Sequence, residues 1–241
     1  MSVPVPNTAM VLAAGLGTRM RPLTDDRPKP LIEVSGKTLI DRMLDPLVAA
    51  GVQRAIVNVH YLADQVEAHL RQRTDIEILI SDERGEVLET GRALAKARPL
   101  LGDDPVLVAN TDAFWAPASP EPVEALAAAF DPEEMDALLL IADIGRTLGF
   151  DGAGDFFQDE EGALTRRGTA PAAPYAYCGL RIIRPHLYDG VPIERFSALR
   201  IWDGLIPKRR LHGLVLDRFW LHVGDPKALK DAEMWLTCHG G

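Results

Sequence analysis

Gly15, Gly17, Arg19 and Lys29 follow one another closely after the short apolar run Met10 to Ala14. Glycine lets a backbone approach an anion and aim its N–H groups at it. Arg19 and Lys29 add positive charge, and Pro28 and Pro30 hold Lys29 on a stiff, extended segment. Such a stretch can cradle the phosphates of a nucleotide. Further on, Asp112 stands just past a second apolar run, Val106 to Ala109. That is the strand edge where open α/β sheets gather ligands. A carboxylate there suits Mg2+, which prefers hard oxygen ligands and keeps several waters.

Two common phosphate loops fail on spacing. Gly36-Lys37-Thr38 supplies the end of a Walker A loop, but its first glycine would fall on Leu31. Lys37 therefore reads as a surface turn residue. Gly15 and Gly17 begin a dinucleotide fingerprint, but the third glycine position is Met20.

The elements that position these residues alternate. Strands are predicted at 10–14, 31–34, 55–59, 76–80, 106–109, 137–142, 177–183 and 214–221. Helices are predicted at 38–50, 64–72, 90–100 with a stop near Pro99, 122–129 with a continuation after Pro132, 197–206 and 226–236. Alternation of this kind predicts an α/β fold, Rossmann-like, with three αβα layers around a mainly parallel, mixed sheet. Gly15 to Pro30 is a long irregular loop, and such loops are usually functional. From Gly145 the texture changes to crowded glycines and a Pro/Ala stretch, predicting β structure and loops over one end of the sheet at about 145–182. No repeat or long polar linker interrupts the 241 residues, so residues 1–241 read as a single domain.

The bulk numbers exclude several classes. A net charge of −9 argues against a nucleic-acid surface. The apolar runs are too short to span a bilayer, and no export signal is legible. Two cysteines in a chain of this size predict a reducing, cytoplasmic setting. No protein partner is evident.

Beyond its glycines, the loop reads G-x-G-T-R-M-x-P-L-T over residues 15–24, followed by Pro28-Lys29-Pro30. This resembles the sugar-phosphate nucleotidyltransferase family. The resemblance continues in order through Asn58-Val59-His60-Tyr61, Leu88-Glu89-Thr90-Gly91, Asn110-Thr111-Asp112, Gly154-Asp155-Phe156 and Trp220-Leu221-His222-Val223-Gly224. Within the family the chain is most similar to the short bacterial uridylyltransferases that act on N-acetylmuramate 1-phosphate in cell-wall recycling. The resemblance implies a nucleoside triphosphate and a sugar 1-phosphate as substrates and Mg2+ as cofactor. UTP is favoured by likeness alone, and mannose 1-phosphate with GTP is the alternative. A non-catalytic sugar-nucleotide sensor is the alternative of another class.

On this reading the backbone from Leu12, Ala13 and Ala14 through Gly15, Leu16, Gly17 and Thr18 holds the nucleotide. Arg19 grips the departing phosphates, and Lys29 reaches the α-phosphate and the sugar phosphate. Asp112 holds the metal. Thr90 and Gly91, at a helix start with free N–H donors, frame the base, although Thr90 also reads as a helix cap. Asn110 faces ribose or sugar. Asp155, Tyr177 and Gly179 line the sugar, with a core role equally open for Tyr177. His60 reads as a loop cap, and Arg21, Arg27 and Arg92 are open between site and surface.

The chain departs from the family at two places. Gly91-Arg92-Ala93 replaces a glycine run, and His222 replaces a second metal aspartate. Three explanations of the second departure stay open. Asp112 holds the metal alone, Asp225 leans in, or His222 binds metal, metal-bound water or phosphate.

Overall fold

The computed structural model describes residues 4–85, 89–192 and 196–239. In chain order the elements are β1 (Thr8–Leu12), β2 (Glu33–Val34), β3 (Lys37–Thr38), α1 (Leu39–Ala49), β4 (Arg54–Val59), α2 (Ala63–Leu70), β5 (Glu77–Asp82), α3 (Thr90–Leu101), β6 (Val106–Asn110) and β7 (Ala113–Ala116). They continue with α4 (Glu121–Ala129), β8 (Ala137–Asp143), β9 (Thr147–Leu148), β10 (Phe156–Gln158), β11 (Leu164–Arg166), β12 (Tyr175–Ile183), α5 (Leu199–Leu205), β13 (Leu211–Val215), β14 (Phe219–His222) and α6 (Pro226–His239).

The main sheet is mixed. β1 lies between β4 and β6, parallel to both, and β5 extends it in parallel beyond β4. β12 runs antiparallel to β6 and β8, the β10–β11 hairpin joins at Tyr175, and β13 lies parallel to β8. Strands covered on both faces read as continuous apolar runs, and alternate residues divide between the two faces. Ala9, Val11, Val57 and Leu107 pack with Leu44 of α1, Val66 of α2 and Leu126 of α4. Met10, Ile56 and Val108 pack with Leu94 of α3 and Trp202 of α5. A third cluster lies under α6 and a small sheet of β7, β14 and β9.

Four local expectations are corrected. Residues 31–34 are not one strand: a 3-10 turn at Lys29–Leu31 precedes the β2–β3 hairpin. Pro99 does not stop α3, which runs two residues on and ends at Gly102, φ +73°. A proline near a helix's end leaves few later turns to disrupt. The residues after Pro132 form a turn. The strand predicted at 214–221 is two strands. β13 stays in the main sheet, and after Asp217-Arg218 the chain crosses to β14 in the small one. β7 was not foreseen. Among the described residues no helix is long and apolar enough to cross a membrane.

Candidate active site

Parallel register aligns three strand ends. Leu12 of β1 lies opposite Asn58 of β4 and Asn110 of β6. The loop leaving β1 is anchored there. Ala13 N–H donates to Asn58 Oδ1 (2.7 Å), and Thr111 Oγ1 donates to the Leu12 carbonyl (3.0 Å). Asn58 Nδ2 in turn donates to Glu83 Oε1 (3.0 Å). Glu83 is 1% exposed, and burial pushes its carboxyl above the ordinary value against the opposing Asn58 bond.

The glycine loop then opens into a cavity of about 540 Å³. Gly17 sits at φ +62°, where a Cβ would stand 3.0 Å from Lys29 Cβ and Thr24 Cγ2. Buried Thr24 donates its hydroxyl to the Gly17 carbonyl (2.8 Å). The loop is thus folded tightly onto the Lys29 segment. Gly15 has open space on its Cβ side. No backbone hydrogen bond engages the N–H groups of Gly15, Leu16 or Gly17 among the described residues.

Lys29 Nζ lies 3.1 Å from Asp112 Oδ2. His222 Nε2 lies 3.8 Å from the same oxygen, and His222 Nδ1 is 3.1 Å from the Gly149 carbonyl. Pairing of β7 with β14 sets His222 opposite Ala113, and Val223 N–H donates to the Asp112 carbonyl (2.8 Å). Burial alone would raise the Asp112 carboxyl. Lys29 and His222 outweigh burial and hold it well below the usual carboxylate range. Arg19 lines the same cavity without a hydrogen-bond or ion-pair partner among the described residues. A Cβ on Gly224 would stand 3.4 Å from its Nη1.

Most residues expected at the site come together there. Leu12, Ala14 through Arg19, Lys29, Thr90, Asn110 and Asp112 line one cavity. Asn110 Oδ1 is buried without a partner, leaving an acceptor for a hydroxyl. Ala13 contributes its N–H to Asn58 and does not line the cavity.

The expectation of free donors at the start of α3 is corrected. Gly91 and Arg92 N–H groups both donate to the Phe196 carbonyl (3.1 and 3.3 Å), and Thr90 Oγ1 accepts from Ala198 N–H (3.1 Å). Gly91 is needed for close approach, since a Cβ there would stand 2.4 Å from the Phe196 ring. Residues 86–88 of the preceding turn lie outside the described residues.

The residues expected to line the sugar are engaged with the protein itself. Asp155 Oδ2 accepts from Tyr177 N–H (2.9 Å), so this carboxylate ties its own hairpin to β12. Tyr177 OH accepts from Arg181 (2.6 Å), and its ring stands edge-on to Trp202. Burial pushes that phenol up to about 12 against the pull of Arg181. Gly179, φ +94°, forms the bulge of β12 behind Asn110, its Cβ position 3.3 Å from Asn110 Cβ. None of Asp155, Tyr177 and Gly179 is among the residues lining the cavity.

Asp225 does not lean toward Asp112: its Oδ1 accepts from Ala228 N–H (2.8 Å) at the start of α6. His60 Nδ1 meets the Glu83 carbonyl (2.7 Å), a loop contact. Lys37 pairs with Asp45 at the surface, and Arg21 with Asp25. Glu83 and Ser197 were missed. A lone acid after an apolar strand carries no sequence signal for a buried anchor, and Ser197 reaches the cavity from far along the chain.

The arrangement can bind a polyphosphate along unengaged N–H groups and two cations, with a carboxylate held ionised beside them. Among the described residues no cluster of three or more His, Cys, Asp or Glu side chains could hold a metal.

Residues 8–150 match the family model described as nucleotidyl transferase. The chain is 50% identical to the N-acetylmuramate alpha-1-phosphate uridylyltransferase of Caulobacter vibrioides, over 96% of this chain and 98% of the relative. It is 33% identical to the enzyme of the same name from Neisseria meningitidis, over 93% and 96%. In shape it is similar to an inositol-1-phosphate CTP transferase from T. maritima, with a TM-score of 0.79 at 16% identity, covering 99% of this chain and 98% of the other.

Proposed function

We propose, from the premise that the chain belongs to the nucleotidyl transferase family, that it joins UTP to N-acetylmuramate 1-phosphate and releases pyrophosphate. The reaction class, nucleotidyl transfer to a sugar phosphate, follows the relatives. The choice of uridine and of this sugar rests on the name of the relative at 50% identity. Such an enzyme belongs in the cytoplasm, in cell-wall recycling, where UTP is available.

The observation that carries the chemistry is the meeting of Lys29 Nζ and Asp112 Oδ2 at 3.1 Å beside a loop of unengaged N–H groups. The nucleophile is a phosphate oxygen of the sugar phosphate, already anionic at neutral pH, so no general base is required. The protein's task is alignment and stabilisation of charge. The backbone from Leu12 to Thr18 seats the nucleotide. Arg19, without a competing carboxylate, holds the β- and γ-phosphates that leave as pyrophosphate. Lys29 reaches the α-phosphate and the incoming phosphate and keeps the two aligned. Asn110 accepts from a ribose or sugar hydroxyl through its unpartnered Oδ1.

Asp112 suits Mg2+, because one carboxylate with water and substrate phosphates completes its shell. When bound, the ion neutralises charge on the phosphate oxygens.

The test is pyrophosphate release by the full chain with Mg2+ across a panel of nucleoside triphosphates and sugar 1-phosphates. UTP with N-acetylmuramate 1-phosphate is expected to be the fastest pair. Release with GTP and mannose 1-phosphate alone would overturn the substrates. Binding without release for every pair would favour a non-catalytic sensor.

A further inference from the structure

β1 ends at Leu12, and the first peptide beyond the strand joins Leu12 to Ala13. Both polar groups of that one peptide are taken by side chains from the two flanking strands. Its N–H donates to Asn58 Oδ1 of β4 (2.7 Å), and its carbonyl accepts from Thr111 Oγ1, just past β6 (3.0 Å). Asn58 and Thr111 are 3% and 6% exposed, so both bonds are shielded from water. A peptide is planar, so its C=O and N–H turn as one unit. Held from β4 on one side and from β6 on the other, this peptide cannot rotate without breaking two buried hydrogen bonds.

Asn58 is itself held the right way round. Ala13 N–H can only donate, so the amide must present its oxygen there and its nitrogen on the other side. Glu83 Oε1 accepts from that nitrogen, Nδ2, at 3.0 Å. Glu83 is buried, and its backbone is fixed at both groups: its N–H donates to the Val59 carbonyl (2.8 Å), and His60 Nδ1 meets its own carbonyl (2.7 Å). What the held peptide aims is the segment after it. No hydrogen bond to the protein engages the N–H of Ala14, Gly15, Leu16 or Gly17 among the described residues, and all four residues line the cavity. The direction of these donors follows from the peptide that precedes them.

We infer that Asn58 and Thr111 are positioning residues of the nucleotide site, acting together through the Leu12–Ala13 peptide, with Glu83 setting the orientation of the Asn58 amide. Neither side chain has to touch the transferred group. They tie the ends of β4 and β6 to the end of β1, so the donors of the glycine loop are aligned before the nucleotide arrives and binding does not have to order them. Release of one end lets the peptide swing and costs the loop its orientation. Release of the second end then adds little. A purely structural clamp would lower Tm and leave the nucleotide affinity of the folded protein unchanged. The inference deepens the nucleotidyl-transfer reading and rests on it.

The test is a double-mutant cycle on nucleotide affinity. The full chain is titrated calorimetrically with Mg2+ and the nucleoside triphosphate that supports transfer, UTP on the reading above, without sugar phosphate so that no transfer occurs. Thr111→Val keeps the side chain's shape and removes the donor, and Asn58→Leu removes the acceptor at similar volume. Each is expected to weaken the nucleotide about tenfold, the effect of a buried group left without its partner. The double variant is expected to lose about the same tenfold and not a hundredfold, because both bonds hold one peptide. Thr111→Ser keeps the hydroxyl and is expected to recover most of the affinity. Glu83→Gln keeps an acceptor for Asn58 Nδ2 and should bind far more tightly than Glu83→Met, which does not. Should Asn58→Leu fail to fold, these two pairs at Thr111 and Glu83 still decide. Losses that multiply, or Thr111→Val binding as tightly as the wild type, would overturn the inference, while transfer by the wild type leaves the proposed function standing. A wild-type chain that neither binds nor transfers from any nucleoside triphosphate would overturn both.

Discussion

Lys29 Nζ stands 3.1 Å from Asp112 Oδ2 across a sequence separation of 83 residues. The ammonium therefore holds the oxygen that the proposed metal needs. Lys29→Ala is expected to tighten Mn2+ binding to the nucleotide-free protein, because a competing cation is gone. Turnover should fall by roughly 10²–10³, the loss typical of a key electrostatic group. Asp112→Ala should lose a similar amount of turnover together with metal binding, while His222→Ala should lose much less with Mg2+. Metal titration by calorimetry and pyrophosphate release measure the two effects separately. Equal losses from Asp112→Ala and His222→Ala would refute this ranking.

Gly15 and Gly17 make different demands. A Cβ on Gly15 meets nothing within 4 Å, and its φ is not positive. Gly15→Ala should leave thermal unfolding unchanged yet raise KM for the nucleotide, because the methyl group stands where phosphates approach. Gly17 has φ +62° and two contacts at 3.0 Å. Gly17→Ala should destabilise the fold by about 1–2 kcal/mol as well as impair turnover. Calorimetry beside steady-state kinetics separates them, and a lowered Tm in Gly15→Ala would show that the loop has a structural demand there.

The alternation of apolar runs with helical spacing was enough to place β1, β4, β6 and α1 through α3, because those elements are buried on faces set by local pattern. The same reading singled out Arg19, Lys29 and Asp112 from the chemistry of their neighbours, and the three line one cavity. Contacts that a distant segment decides were not legible. Gly91 looked like a donor to ligand, but Phe196 takes its N–H. The pairing of the Asp155 hairpin with β12 gives Asp155 Oδ2 the Tyr177 N–H, a contact that no local pattern announces. β7 is four residues long and follows an aspartate. Only its partner β14 identifies it as a strand, and that pairing brings His222 to Asp112.

Glu83 gives the fold a pH signature. Its carboxyl is raised by burial above the unfolded value, so the folded chain binds the proton more tightly than the unfolded chain does. Its contribution to stability is full below the unfolded value and is lost as pH rises through the folded one. Asp112 has the opposite sign. Its depressed carboxyl contributes above the unfolded value and loses that contribution only in strong acid. As pH rises above the ordinary carboxylate range the Glu83 effect therefore dominates this pair. Glu83→Gln keeps an acceptor for Asn58 Nδ2 and removes the titration. Its Tm should fall less than that of the wild type as pH rises above that range. Parallel Tm profiles would refute the assignment.

The contact between Gly91 and Phe196 links the nucleotide end of the cavity to a segment more than a hundred residues away. A Cβ on Gly91 would stand 2.4 Å from the Phe196 ring and 2.9 Å from its carbonyl oxygen. The oxygen is held by two N–H groups at the start of α3 and cannot move without freeing both. Gly91→Ala should therefore push residues 196–198 off α3. Ser197 and Thr90 both line the cavity, so the displacement widens the wall that closes on the nucleotide while leaving Lys29 and Asp112 in place. KM for the nucleoside triphosphate should rise about tenfold or more, with kcat changed far less, as loss of uniform binding predicts. Phe196→Ala in the Gly91→Ala background removes the ring that the methyl group strikes and should recover part of the lost affinity. A fall in kcat equal to the fall in kcat/KM would instead place Gly91 among the groups that act on the transferring phosphate.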